Sequence, residues 1–275
     1  MHIRSSGRSS GLEQASGPIR FMTFNIRFDT IKDAAAGNRW ADRVDSVVET
    51  LRRSRPDVVG FQESLRTQLH DLTDALPGYH GVGKPRDVGP TAEYVPVFFD
   101  VRRFELEEYG DFWLSPTPEA EGSRGWDTDV PRHCTWVRLR ERVSGMRFAA
   151  FNTHLDRWGV VARAEAAKVI VARVRAAADV PAVILGDLNA EEGSDPVATL
   201  RAAGFRDTFR ELYPDEADVQ TVHHYWDLSG SRKIDYVMCD GRWTVEGAEI
   251  VREPAAGRLP SDHFPVTADL VPVTG

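Results

Sequence analysis

The sequence predicts an α/β protein in which two mixed, mostly antiparallel sheets pack face to face with helices outside. Two observations carry that class. Residues 94–153 hold a series of β-branched and aromatic runs with no helical period between them, so these strands should pair antiparallel. The halves of the chain also echo each other. Each has strands, an amphipathic helix and an apolar strand ending in an acidic residue (VVGFQE at 58–63, VILGDLN at 183–189), which suggests two similar layered halves. A β/α barrel fits the length, but it needs a helix after nearly every strand, and residues 94–153 lack them.

Residues 19–26 (IRFMTFNI) read as a strand ending in polar residues. Residues 42–53 carry Val44, Val47, Val48 and Leu51 at i, i+3, i+4 and i+7, one apolar helix face. Pro56 stops that helix, because the residue before a proline avoids helical angles. An apolar strand follows at 57–61, running into Gln62 and Glu63, and then a helix at 67–76 closed by Pro77-Gly78. Strands are expected at 94–99, 104–114, 135–140 and 146–153. The connection 115–133 is rich in Pro, Gly and acid, and a loop this long in a compact domain is functional or mobile. Beyond it come a long Ala/Val helix at 160–178, a buried strand at 182–185, a short helix at 197–203, and strands at 233–238, 244–251 and 266–270.

Composition narrows the function. The chain has 275 residues, 41% hydrophobic and 28% charged, which is globular. At this size it buries enough surface to fold without disulfide or metal staples. The net charge of -8 argues against gripping long nucleic acid mainly by charge. It leaves a nuclease open, since a bound divalent cation reverses the sign of an acidic site. Cys134 and Cys239 lack CxxC spacing and are expected as two half-buried thiols. No apolar run approaches the ~20 residues that span a bilayer. The polar, Ser/Gly-rich residues 1–17 read as a flexible tail without a secretory signal, which favours the cytoplasm.

Polar residues stand at the ends of the apolar strands: Asn25, Glu63, His154, Asp187 with Asn189, Asp235, and Asp262 with His263. One end of a sheet is where ligand sites gather. Alone, an Asp or Asn after a strand is most often a turn residue. Turn chemistry does not require this ordered set of types. Carboxylate and amide oxygens suit Mg²⁺ or Mn²⁺ rather than zinc, and Glu63 with Asp262 could make such a site. Imidazoles ordinarily titrate near neutral pH, and His154 and His263 supply two of them. Metal, carboxylates and imidazoles together point to phosphoester hydrolysis.

These segments resemble the endonuclease/exonuclease/phosphatase superfamily, which includes DNase I-like nucleases, abasic-site endonucleases, neutral sphingomyelinases, inositol polyphosphate 5-phosphatases and deadenylases. MTFNIR around Asn25, DVVGFQE ending at Glu63, NTHLD with His154, ILGDLN with Asp187 and Asn189, KIDYV with Asp235, and SDHFPV with Asp262 and His263 occur in the superfamily's order across residues 19–268. The resemblance implies a four-layer α/β sandwich over residues 18–275 with its site at one end of both sheets. It implies Glu63 as the main Mg²⁺ (or Mn²⁺) ligand, with Asn25 and Asp262 near the metal. Asp187 would orient or deprotonate the attacking water, and Asn189 would fix the phosphate. Asp235 would hold His263 in one tautomer against the scissile phosphate. His154 matches the DNase- and sphingomyelinase-like branches. The FWLSPTPE segment resembles an uncharacterised bacterial subgroup near the deadenylase-like branch.

Arg132 could bind phosphate bidentately. Trp126, Trp113 and Trp158 could stack on a base or sugar. Asp156 and Glu93 would support the site, with Asp29 a weaker candidate, and His223-His224 reads as surface loop. The sequence has no Lys/Arg stripe suited to duplex DNA, and we read it as a monomer. The expected substrate is a phosphomono- or diester, either a small phosphorylated molecule or single-stranded nucleic acid. A 3'-5' exonuclease or deadenylase-like nuclease, a sphingomyelinase-like phosphodiesterase, and an inactive binding protein of the same fold are the alternatives.

Overall fold

A computed structural model describes residues 17–177, 179–217 and 219–273. Apart from Gly17, the tail expected over 1–17 lies outside the described residues, as does Ala178 at the expected end of the long helix. The first sheet contains β1 (Ile19–Asn25), β2 (Val58–Gln62), β3 (Tyr79–Val82), β4 (Val97–Asp100), β11 (Trp243–Ile250) and β12 (Val266–Pro272), in the order β11-β12-β1-β2-β4-β3. The second contains β5 (Phe104–Trp113), β6 (His133–Glu141), β7 (Arg147–His154), β8 (Ala182–Asp187), β9 (Arg206–Asp207) and β10 (Asp235–Cys239), in the order β5-β6-β7-β8-β10-β9. Each sheet has one parallel pair at its centre, β1 with β2 and β7 with β8, and antiparallel neighbours elsewhere. The internal echo in the sequence is therefore an echo in topology. A parallel pair needs a crossover, supplied by α1 (Trp40–Ser54) in the first sheet and α3 (Val160–Ala176) in the second.

Four layers result. Alternate residues of a strand face opposite sides of its sheet. In β1, β2, β7 and β8, one set (Phe21, Val58, Phe148, Ala150, Val183, Leu185) packs between the sheets. The other set faces helices: Met22, Phe24, Val59 and Phe61 meet α1 and α2 (Arg66–Ala75), while Ala149, Phe151 and Ile184 meet α3 and α4 (Asp195–Ala202). Strands buried on both faces read as continuous apolar runs, which is why they were plain in the sequence. Phe21 meets Phe148 and Trp243 edge-on, with ring centroids 5.5 and 5.7 Å apart. Each such pair adds roughly 0.5–1.5 kcal/mol beyond area burial.

The Val47, Val48 and Leu51 face of α1 is buried as its spacing predicts. The helix starts at Trp40 rather than 42, because Asp29 accepts the Trp40 N–H at 3.0 Å. It stops at Arg55, whose left-handed φ of 47° precedes Pro56. Four short pieces have no clear period in the sequence: β3, β9, α5 (Thr208–Leu212) and a 3-10 helix at Ile31–Ala36. In β3, Gly81 lies under the Phe98 ring, which a Cβ would meet at 2.2 Å. Cys134 and Cys239 are free and fully buried rather than half-buried. Among the described residues, no helix is long and apolar enough to cross a membrane.

Candidate active site

The space between the sheets changes chemistry along its length. Following the inward-facing positions gives Phe21, Thr23, Asn25 in β1; Val58, Gly60, Gln62 in β2; Phe148, Ala150, Asn152, His154 in β7; Val183, Leu185, Asp187 in β8; and Cys239, Val237, Asp235 in β10. An apolar core gives way to amides and then to ionisable groups. In the amide layer, Gln62 Nε2 donates to Thr23 Oγ1 at 3.0 Å and to Asn152 Oδ1 at 2.6 Å. Asn152 Nδ2 donates to the carbonyls of Phe61 and Pro96, both at 2.8 Å. Gly60 makes room: a Cβ there would sit 2.5 Å from Asn152. This layer bonds the two sheets together beneath the site, so their ends cannot slide apart cheaply.

Ladder register then fixes the ionisable layer. Asp187 is paired with His154 on one side and Asp235 on the other. Asn25 Nδ2 spans the sheets, donating to Asp187 Oδ2 at 3.0 Å and Glu63 Oε1 at 3.2 Å, while its oxygen accepts the Arg27 N–H at 3.0 Å. In this orientation Asn25 aligns two carboxylates rather than offering its own oxygen to a metal. Asn189 Nδ2 donates to Leu155 O at 3.1 Å, which sets its amide, and meets His154 Nε2 at 2.9 Å. His154 Nε2 therefore accepts, and the ring proton lies on Nδ1. Glu63 and Asn189 follow β2 and β8, the second strands of the two parallel pairs, and both adopt left-handed φ, 58° and 44°. Such backbone persists in a side chain other than glycine only where the surroundings hold it, and it clusters at functional sites.

His263 Nδ1 lies 2.9 Å from Asp235 Oδ2, and its Nε2 lies 4.0 Å from Asp187 Oδ2. Burial opposes the imidazolium, but the Asp235 carboxylate overrides it and raises the pKa to about 10. Burial, reinforced by the neighbouring Asp235 charge, lifts Asp187 to about 7. Burial also drives His154 well below its usual range, helped by Arg132 and Arg86. One histidine is thus held charged, its neighbour neutral, and a carboxyl between them is poised near neutrality. Divergent shifts in one small volume are a mark of acid–base sites.

All these groups open into one cleft of about 570 Å³ lined by Glu63, His154, Asp187, Asn189, Asp262 and His263, together with Arg27, Arg86, Glu93, Arg132, Asp156 and Trp158. Asn25 and Asp235 lie buried directly behind the lining. Arg132 comes from the end of the long loop. That loop is tied down: Thr128 Oγ1 donates to Asp156 Oδ2 at 2.7 Å, and Asp127 accepts the Ala162 N–H at 2.7 Å, closing the N-terminus of α3. Arg132 lies 3.5 Å from Asp156.

Several expectations fail. Trp126 does not line the cleft; it sits on the loop at a left-handed φ of 57°. Trp113 is buried, stacked on His133 and donating to Arg86 O at 2.8 Å. Asp29 caps α1 and pairs with Arg39 at 2.6 Å. Of the pair read as surface loop, neither is free on the surface, and one reaches the site. His223 is fully buried, and His224 lines the cleft 3.9 Å from Asp262. Arg27 also went unrecognised. It pairs with Asp33 at 3.1 Å and with Asp262 at 3.7 Å. Buried Arg43 fixes this corner by bonding the carbonyls of Ile26, Arg27 and, at 3.1 Å, Pro260. Arg43 carries no local sequence signal, because its partners are backbone carbonyls, and what brings Arg27 to the site is Asp262, far along the chain.

The donor set fits a hard cation at Glu63. Its oxygens accept only long bonds, 3.2 Å from Asn25 and 3.3 Å from Phe28 N, and no described Lys, Arg or His pairs with it. Asp187, Asp235 and His263 also place ligand atoms within 4.8 Å of one another. Two of those three are already satisfied by the His263–Asp235 hydrogen bond, so this trio is better suited to holding a proton than an ion.

A four-layer sandwich whose acid and imidazole groups converge in a cleft at one end of both sheets is a DNase I-like α/β fold. The chain belongs to the endonuclease/exonuclease/phosphatase family, whose model matches residues 22–263; members of this family are phosphoester hydrolases. The fold is similar to an endonuclease/exonuclease/phosphatase from Bacteroides vulgatus, at 31% identity and a TM-score of 0.85 over 94% of this chain and 100% of that one. It is similar to a mannosyl-6-phosphatase from Bacteroides thetaiotaomicron, at 30% identity and a TM-score of 0.84 over 92% and 99% of the two chains. It is also 25% identical over 261 residues to Recombination repair protein 1 of Drosophila melanogaster, and spans 34% of that protein's length.

Proposed function

We propose that this protein is a Mg²⁺- or Mn²⁺-dependent phosphoester hydrolase acting on a small phosphorylated molecule. The observation that carries the reading is the junction at Asp187: one carboxyl, lifted to about 7, lies within 4.0 Å of the charged His263 and shares the Asn25 amide with Glu63. Asp187 orients a water and takes its proton as the water O–P bond forms and the ester P–O bond breaks, and the departing alkoxide takes a proton from solvent and leaves as the alcohol. His263 Nε2 donates to the charge developing on phosphorus-bound oxygen, and Asp235 keeps it protonated. Asn189 and Arg132 hold the phosphate. His154, neutral, holds Asn189. Glu63, with Asp262 nearby in the lining, would hold the cation, which when bound neutralises phosphate charge and polarises the ester.

A compact cleft and the relative named as a mannosyl-6-phosphatase favour a small monoester. The repair-protein relative and exposed Trp158 favour the second reading, single-stranded nucleic acid. A panel of nitrophenyl mono- and diesters, hexose 6-phosphates, inositol phosphates, sphingomyelin, and single-stranded RNA and DNA, run with each metal and with EDTA, tests both. The expected result is EDTA-sensitive phosphate release, fastest on a small monoester. No metal-dependent release from any substrate would leave an inactive binding protein as the better account.

A further inference from the structure

Next to the cleft, whose acids and bases nearly balance, lies a second cavity of about 850 Å³ with a surplus of cations. The two share Arg27, Arg157, His224 and Asp262 as common lining, so they lie side by side. Four cations line the second cavity (Arg27, Lys32, Arg157 and Arg258) against two carboxylates (Asp33 and Asp262), a surplus of two positive charges on a protein whose net charge is -8. Both carboxylates lie beside Arg27, Asp33 at 3.1 Å and Asp262 at 3.7 Å. Among the described residues, no carboxylate pairs with Lys32, Arg157 or Arg258. Arg157 stacks over Trp158, and Arg258 bonds only the Asp42 carbonyl.

The backbone that carries Lys32 is held in place. Lys32 rides on the 3-10 helix Ile31–Ala36, capped at its start by Thr30 Oγ1 at 3.4 Å and closed by Gly37 at a φ of 66°. The Arg27–Asp33 pair pins that helix to the end of β1. At the rim, Trp226 is 76% exposed and lies parallel to His224, with ring centroids 5.6 Å apart. A concave wall of uncompensated cations attracts an anion, and an exposed flat ring beside it suits a sugar or base face.

We propose that this second cavity binds a second phosphate of the substrate, remote from the scissile ester, so that the preferred substrate class is a phosphoester carrying two phosphates on a sugar or nucleoside frame. This rests on the phosphohydrolase reading of the neighbouring cleft, yet it is testable apart from turnover. The full chain, in EDTA, is titrated calorimetrically with matched ligands differing by one phosphate: glucose 6-phosphate against glucose 1,6-bisphosphate, and adenosine 5'-phosphate against adenosine 3',5'-bisphosphate. The bisphosphate of at least one pair should bind on the order of tenfold tighter, as one charge-assisted contact supplies. The pair with the larger gain identifies the frame.

In Lys32→Ala/Arg258→Ala that advantage should fall to about twofold or less. Lys32→Glu, at an exposed position with no packing to lose, should do the same should the double variant fold poorly. Equal affinities within both pairs, or an advantage untouched by both variants, would overturn the proposal. Phosphate release by the same protein with metal restored separates the two readings. Turnover without a bisphosphate preference removes only the second site, and a preference without turnover removes only the hydrolase.

Discussion

Asp235→Asn tests the site most directly, because it alters one charge and almost no volume. Asp235 is buried and bonds His263 at 2.9 Å. The His263 pKa rises from 6.5 to about 10, and at 1.36 kcal/mol per unit that difference corresponds to about 5 kcal/mol of preference for the imidazolium. Burial alone would push the other way, so the gain comes from the carboxylates around the ring, Asp235 first, with Asp187 and Asp262 adding to it. An amide in its place leaves His263 neutral at pH 8, unable to stabilise phosphorane charge as a cation, and the rate should fall by roughly 10²–10⁴. The assay is kcat/KM from pH 6 to 9 for both proteins, paired with an NMR titration of the His263 ring. The ring should titrate in the variant several units below its wild-type midpoint. The linkage sign follows: a raised folded pKa contributes stability that is fully present below pH 6.5 and is lost as pH climbs through about 10. The stability gap between wild type and variant should therefore narrow across that window. A variant within threefold of wild-type activity, with an unchanged ring titration, would refute the reasoning.

Glu63→Gln should abolish metal-dependent turnover, and Mg²⁺ or Mn²⁺ should raise the Tm of wild type but not of the variant, since only a ligand bound to the folded state stabilises it. Asp187→Asn should lose activity yet gain stability in EDTA at pH 8. Burial lifts the Asp187 pKa to about 7, so the carboxylate there opposes folding above that pH, and each recovered kcal/mol shifts Tm by about 2–4 °C in a chain of this size. Gly60→Ala should cost about 1–3 kcal/mol in denaturant unfolding, because its Cβ would strike Asn152 at 2.5 Å and disturb the amide layer.

The parts of the fold legible in the sequence are those where one rule dominates. Strands between two apolar layers show as unbroken runs, and α1 shows as a face of Val and Leu. The acids, amides and imidazoles at strand ends were legible as an ordered set, and the structure brings Asn25, Glu63, His154, Asp187, Asn189, Asp235, Asp262 and His263 into or directly behind one cleft. What stayed hidden depends on long-range pairing. His224 reaches the cleft because the Val222–His263 bridge and the bonds from His223 and His224 N–H to Asp262 O fold that loop over the site. Trp126 looked available and is not, since the loop turns at that residue while its neighbour Asp127 closes α3. An exposed side chain and a site-facing one have the same local sequence.

The arrangement also explains why the site needs so rigid a base. Asp187 is buried between His154 and Asp235, and the Asp235 charge adds to burial in raising the proton affinity of Asp187. Glu63 and Asn189 add backbone in a region that costs a residue with a side chain of order 1 kcal/mol or more. A loose scaffold would relax by separating these groups, and the poised proton would be lost with them. Here relaxation is blocked from two directions. The β7–β8 and β8–β10 ladders fix His154, Asp187 and Asp235 in register, and the Thr23–Gln62–Asn152 layer ties the β1–β2 sheet to them one step below. Weakening that layer should therefore reduce activity before it unfolds the protein, because the Glu63–Asn25–Asp187 span crosses between the two sheets and depends on their separation.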